Sequence, residues 1–195
     1  MDSIDKITAY IDKNFSEKRR KHTYGVRSTA LELAALYGCD PHKTEQAALL
    51  HDLYRGVPEN VLNYYVKHLG LDNKYLNSPN LSHGKIAAEM IQRDFGIKDR
   101  DIINAVSFHT TGRNGMSTLE KIIYIADAVE PGRNYPGVEE LRKLVKEDLD
   151  KACLASLRST IDYVSSEGKF LDGDTLAAEQ YFAELISKKE KSDDQ

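Results

Sequence analysis

Residues 47–56 read AALLHDLYRG, in which the helix-interior pattern of Ala47, Ala48, Leu49 and Leu50 runs straight into His51 and Asp52, with Arg55 and Gly56 just behind. A carboxylate in an apolar segment is costly unless something meets its charge. Neighbouring helical residues point about 100° apart, so inside a helix His51 and Asp52 share no face, but at a helix end both can converge on an ion held between helices. Asp40 and Pro41 supply the matching start: Asp accepts from free first-turn amides and Pro has no amide to leave unpaired. A helix from there through AALLHDL puts His51 and Asp52 near its C-terminal end.

Helical spacing continues outward in both directions. Ile4, Ile7, Ile11 and Phe15 form one stripe, and Val26, Ala30, Leu33 and Ala34 another, on a helix expected to begin near His22. Further helices are expected over 58–68, over 83–95 with Ser82 as cap, and over 100–108 with His109 at its end. Ser117 and Glu120 form a capping box ahead of KIIYIADAVEP, a helix that must stop by Pro131 and that carries Asp127. The remaining helices are expected over 138–147, 149–166 and 175–188, the last two joined by the loop KFLDGD. No strand, repeat or GxxxxGK[ST] phosphate loop is indicated, so the expected fold is all-α: one domain, a helical bundle over residues 1–188, with a polar tail at 189–195.

A chain of 195 residues can bury a core without disulfides. Its net charge of −4 disfavours a partner such as polymeric nucleic acid, whose binders carry a basic excess. Cys39 and Cys153 are isolated, outside any zinc-finger spacing. The N-terminus lacks the pattern of a secretory signal, and no apolar run reaches the roughly 18 residues of a membrane span, so a cytoplasmic protein with no membrane partner is expected. The sequence sets no oligomeric state and leaves room for a homodimer.

Of the six histidines, His42 and His68 lie among polar neighbours, whereas His22, His51, His83 and His109 fall at expected helix ends or in apolar segments, as do Asp52 and Asp127. Each has a plainer reading when taken singly. His51 and Asp52 fit an N–H to carboxylate pair, Asp127 a buried acid met by backbone amides or an arginine, His22 a solvated basic face, His83 a helix-start residue, and His109 a C-cap favoured by the helix dipole. The order is the stronger signal: His, His-Asp, His, His and Asp on successive helices. A metal would give the carboxylates a counter-charge and the imidazoles an acceptor for their lone pairs. Imidazole and carboxylate without thiolate suit Fe, Mn, Co, Ni or Zn and select none of them.

That order resembles the HD-domain metal-dependent phosphohydrolases. The surrounding strings HTYGV, LLHDLYRG, SHGKIAAE, FHTTG and KIIYIADAVEPGRNYPGV are similar to the YqeK family, the HD-type symmetrical bis(5'-nucleosyl)-tetraphosphatases, over about 19–175. The resemblance implies hydrolysis of diadenosine tetraphosphate to two ADP in an HD-type helical fold. It implies that His22, His51, Asp52 and Asp127 hold a metal, usually iron, with Mn, Co or Ni as alternatives. His83 and His109 would hold a weaker second metal or donate to the polyphosphate. Catalysis would fall to Asp52, Asp127, His83 and His109, and nucleotide contacts to Arg19, His22, His83, His109, Thr110, Asp127 and Arg133, with Leu171, Asp174 and Thr175 against the base. Lys85 is a further candidate for the phosphates. The chain departs from the family pattern at Tyr54 and Arg55, where a small residue and Lys are common, and at Glu179 and Gln180, where Arg-Asn is usual. Alternative readings are another HD nucleotide hydrolase, acting on guanosine tetraphosphate or nucleoside monophosphates, and a non-catalytic nucleotide sensor.

Overall fold

The apolar run between Ser117 and Pro131 forms the helix around which the others assemble. The computed structural model describes residues 3–193. Its elements are α1 (Ser3–Asn14), α2 (Glu17–Tyr37), α3 (Pro41–Leu50), α4 (Glu59–His68), a 3-10 turn at Asn73–Tyr75, α5 (Pro79–Phe95), α6 (Arg100–Phe108), α7 (Thr118–Val129), α8 (Val138–Glu147), α9 (Leu149–Ser166) and α10 (Gly173–Asp193). Among the described residues there is no strand, and no helix is long and apolar enough to cross a membrane.

Helix α7 is buried around most of its circumference and packs against α2, α3, α6, α8 and α9. The Ser117–Glu120 capping box forms as expected: Glu120 N–H donates to Ser117 Oγ (3.1 Å) and Ser117 N–H to Glu120 Oε2 (2.9 Å). Asp40 caps α3 through the amides of His42 and Lys43 (2.8 and 3.2 Å), with Pro41 at the first position. One continuous core joins these helices, and a smaller cluster of Leu62, Val66, Tyr75, Ile86 and Met90 fastens α4 to α5.

Three helix starts differ from the sequence expectation. Helix α2 begins at Glu17 rather than near His22, because Ser16 takes the cap position, its Oγ accepting from Arg19 N–H (3.4 Å). His22 therefore projects from the second turn. Helix α5 begins at Pro79 rather than at His83: Pro79, with its φ already set for a helix, starts it behind Ser78. Ser82 lies inside the helix, and His83 is one turn further in than expected. Helix α10 begins at Gly173 rather than Thr175, where Asp172 Oδ1 accepts from Asp174 N–H (3.0 Å), and it runs past Lys188 to Asp193.

Phe182, fully buried, anchors α10 to the core beside Ala178. Phe182→Ala should lower the unfolding free energy by about 3–5 kcal/mol, measured by denaturant titration, with the helical circular dichroism of the native state retained.

Candidate metal centre and nucleotide cavity

Where α3 ends at Leu50 the chain turns rather than continuing as helix, with Leu53 N–H donating to Leu50 O (3.1 Å), Arg55 N–H to Asp52 O (2.9 Å), and Gly56 closing at φ +78°. This exit lets His51 and Asp52 converge. Asp52 lies at the centre of the site, each carboxylate oxygen facing two imidazoles. Oδ2 is 3.6 Å from His22 Nε2 and 3.9 Å from His51 Nε2; Oδ1 is 3.1 Å from His83 Nε2 and 3.7 Å from His109 Nε2. Asp127 reaches the same place from α7, its Oδ1 3.2 Å from His22 Nε2. The six predicted residues are thus brought together from α2, the α3 exit, α5, the α6 end and α7, while His42 and His68 lie exposed on the surface.

The second nitrogen of every imidazole is already committed. His51 Nδ1 lies 2.6 Å from Ala48 O, His83 Nδ1 2.9 Å from Pro79 O, and His109 Nδ1 2.8 Å from Val106 O. His22 Nδ1 lies 3.1 Å from Glu130 Oε1. Carbonyls and carboxylates only accept, so this network places a proton on Nδ1 of all four rings, and each neutral ring aims an Nε2 lone pair inward. The four Nε2 atoms point at two carboxylates and at one another, with His83 Nε2 and His109 Nε2 only 3.0 Å apart. Burial lowers His22, but its bonds to Asp127 and Glu130 raise it overall, so without a cation it is the ring that takes up a second proton most readily. His51 Nε2 is buried with no hydrogen-bond partner. Burial, opposed by Asp52, pushes His51 down to about 4, and burial likewise lowers His83, so both rings are neutral at physiological pH. Burial alone would raise the Asp52 and Asp127 carboxyls; positive charge beside them, from any imidazole that takes up a second proton and, at Asp127, from the Arg133 guanidinium, holds both well below the usual carboxylate range. A buried set made only of acceptors fits a divalent cation, and hydrogen bonds from the outer nitrogens to carbonyl or carboxylate are the usual support of metal-bound imidazole.

The arginines bind members of this set. Arg133 donates from Nε to Asp127 O (2.7 Å) and from Nη2 to Asp127 Oδ1. Arg19 Nη1 donates to Asp52 O (3.0 Å), and Thr110 Oγ1 lies 3.2 Å from His109 Nε2. Lys85 does not extend toward the imidazoles: its ammonium sits 3.4 Å over the Phe108 ring and 3.6 Å from Asp174 Oδ2, and burial lowers it to about 8 against the pull of Asp174. Asp174 is therefore held behind the loop, whereas Leu171 and Thr175 line the cavity. Glu179 pairs with Arg158 (2.8 Å) and Gln180 with Glu184 (3.1 Å).

Sequence reasoning missed Glu130 and Arg142. Glu130 is buried, accepts from Gly132 N–H (2.6 Å) and orients His22. Gly25 makes its room, since a Cβ there would stand 2.6 Å from Glu130 Oε2. Gly84 does the same between α5 and α6, where a Cβ would meet His109 Cε1 at 2.9 Å. Arg142 fastens the loop after α7, donating to the carbonyls of Val129 (2.8 Å), Glu130 (2.8 Å) and Arg133 (2.9 Å). The His/Asp cluster opens on a cavity of about 1570 Å³, above the roughly 300–1,000 Å³ of a pocket for a drug-sized ligand.

Replacing Glu130 by Gln should weaken metal affinity about 10- to 100-fold by chelator competition, with the unfolding midpoint little changed. Because the folded pKa of His51 lies below its ordinary 6.5, the unfolded chain takes up this proton first. The stability of the metal-free protein should therefore fall as pH drops from about 6.5 towards about 4, and His51→Gln should flatten that interval in pH-dependent denaturation.

Comparison with known proteins agrees with this geometry. The HD domain family model matches residues 19–132. A protein from Bacillus subtilis named bis(5'-nucleosyl)-tetraphosphatase, symmetrical, is 37% identical over 88% of this chain and 92% of its own length. One of the same name from Halalkalibacterium halodurans is 38% identical over 88% and 92%. The crystal structure of a predicted HD superfamily hydrolase involved in NAD metabolism from Clostridium acetobutylicum superimposes with a TM-score of 0.89 at 43% identity, over 95% of this chain and 99% of that one. The chain belongs to the HD domain family, among the relatives of the symmetrical bis(5'-nucleosyl)-tetraphosphatases.

Proposed function

We propose that the chain hydrolyses dinucleoside polyphosphates, splitting diadenosine tetraphosphate symmetrically into two ADP. The observation that carries this reading is the convergence of four inward lone pairs and two carboxylates at the wall of a cavity larger than one small ligand needs. The names of the Bacillus and Halalkalibacterium relatives supply the substrate.

His22, His51, Asp52 and Asp127 would hold one divalent ion, and Asp52 with His83 and His109 a weaker second; iron is the first choice, with manganese, cobalt or nickel as alternatives. Such an ion supplies charge neutralisation at phosphate oxygens and acidifies water. The side chains do the rest. Asp127, kept ionised by its surroundings, accepts a proton from the attacking water and orients it. Arg133, steadied on Asp127, turns its remaining N–H groups to the phosphates, and Arg19 and Thr110 add donors along the chain. Leu171 and Thr175 border the base. Free thiols at Cys39 and Cys153 support a cytoplasmic setting.

The test is metal analysis of anaerobically purified protein together with a hydrolysis screen over dinucleoside polyphosphates, guanosine tetraphosphate and nucleoside monophosphates, with products separated by chromatography. Sustained ADP release from diadenosine tetraphosphate is expected. Turnover only of the other substrates, or binding without turnover, refutes the reading. Asp52→Ala should remove metal and activity together while the helical dichroism persists; activity retained in that variant would contradict the assignment of Asp52.

A further inference from the structure

The cavity that contains the His/Asp cluster, at about 1570 Å³, is larger than a single nucleoside diphosphate needs. Its lining carries two kinds of chemistry. Tyr163 and Phe170 stand 58% and 55% exposed, offering faces on which a base can stack. Lys18, Arg19 and Arg55 line it with positive charge, together with the segment 77–81.

Part of this positive charge has no direct carboxylate partner. Glu17 is taken up by Lys21 (2.7 Å). Among the described residues, Arg19 and Arg55 pair with no carboxylate and are tethered instead by neutral oxygens: Arg19 Nη1 by the Asp52 carbonyl (3.0 Å) and Arg55 Nη1 by Asn80 Oδ1 (2.6 Å). Gly56 leaves room for Arg19, whose Nη2 would stand 3.1 Å from a Cβ there, and Arg55 is near enough for its charge to act on Arg19. A neutral tether fixes each guanidinium fork without cancelling its charge, which leaves further N–H groups for an anion. The segment bearing Asn80 is itself preset. Asn77 adopts the left-handed conformation at φ +56°, uncommon outside glycine, and a reciprocal pair of hydrogen bonds with Asn63 keeps it there, Asn77 N–H to Asn63 Oδ1 (2.9 Å) and Asn63 Nδ2 to Asn77 Oδ1 (2.8 Å).

We propose that Arg55, steadied by Asn80 and acting beside Arg19, forms the subsite for the phosphates of the second, departing nucleoside diphosphate half of the substrate. This rests on the dinucleotide reading above. Arg55 follows Asp52 by three residues, and Asn80 precedes His83 by three, so the tethered pair borders the His/Asp cluster. With the central phosphates at the cluster and one nucleoside diphosphate half placed on the aromatic and Arg133 side, the phosphates of the other half fall to Arg55 and Arg19. Arg55 then distinguishes a dinucleotide from a mononucleotide.

The test is calorimetric titration of the manganese-loaded full chain with ADP and with diadenosine tetraphosphate carrying a methylene in place of its central bridging oxygen. The wild type should bind the analogue at least about tenfold more tightly than ADP, and Arg55→Ala should weaken the analogue about tenfold while leaving ADP within about twofold. Asn80→Ala should move the analogue in the same direction, and Arg55→Lys should fall between. Equal losses for both ligands, or none, would overturn the subsite. Turnover of diadenosine tetraphosphate by the same samples separates the two claims: the expected affinities without ADP release refute the hydrolase and leave the subsite, whereas ADP release with affinities indifferent to Arg55 refutes the subsite alone.

Discussion

A carboxylate ringed by imidazole lone pairs is a repulsive arrangement, and the structure is organised around making Asp52 tolerable in that position. Each ring is held from behind by an acceptor that fixes its proton away from the centre: Ala48, Pro79 and Val106 through their carbonyls, Glu130 through its carboxylate. Three of these anchors lie three or four residues before the histidine they hold, within the same helix or its end. The tautomer is thus set by local backbone geometry, and long-range packing has only to bring the helices to the right distance. Gly25 and Gly84 set that distance, one where α2 passes the Glu130 carboxylate and the other where α5 passes the ring of His109.

The loop after α7 is the second requirement. Pro131 ends the helix, and the chain that follows must supply Glu130 to His22 and Arg133 to Asp127 at once. Its carbonyls would be costly to leave unmade in a half-buried turn, and Arg142 satisfies three of them from α8. A helix with no residue in the His/Asp cluster therefore decides how well that cluster is oriented.

The fold class and six clustered residues were legible because His51, Asp52 and Asp127 broke an apolar frame and His22, His83 and His109 recurred at expected helix ends in one order along the chain. Glu130 broke no pattern, since an acid ahead of Pro-Gly looks like an ordinary helix end, and its burial follows only from the proximity of α2. Arg142, within VEELRKLVKE, reads as the polar face of an amphipathic helix. Ser78 and Ser82 are both reasonable caps by composition, and Pro79 decides between them. The position of Lys85 also lay beyond sequence reasoning: its spacing from Ser82 suggests the phosphates, but its ammonium is drawn to Asp174, more than eighty residues along the chain.

That last contact binds distant parts of the molecule into one wall. Lys74 meets Asp172 (2.9 Å) and Lys85 meets Asp174 (3.6 Å), so the region of the 3-10 turn and α5 grips the start of α10 in two places, and α5 carries His83 as well. The last helix is consequently a side of the vessel rather than an appendage. Its far end, exposed and polar, offers an attachment point for a tag, but shortening the chain back past Phe182 would strip the support from the loop at Leu171 and Asp172 that lines the cavity.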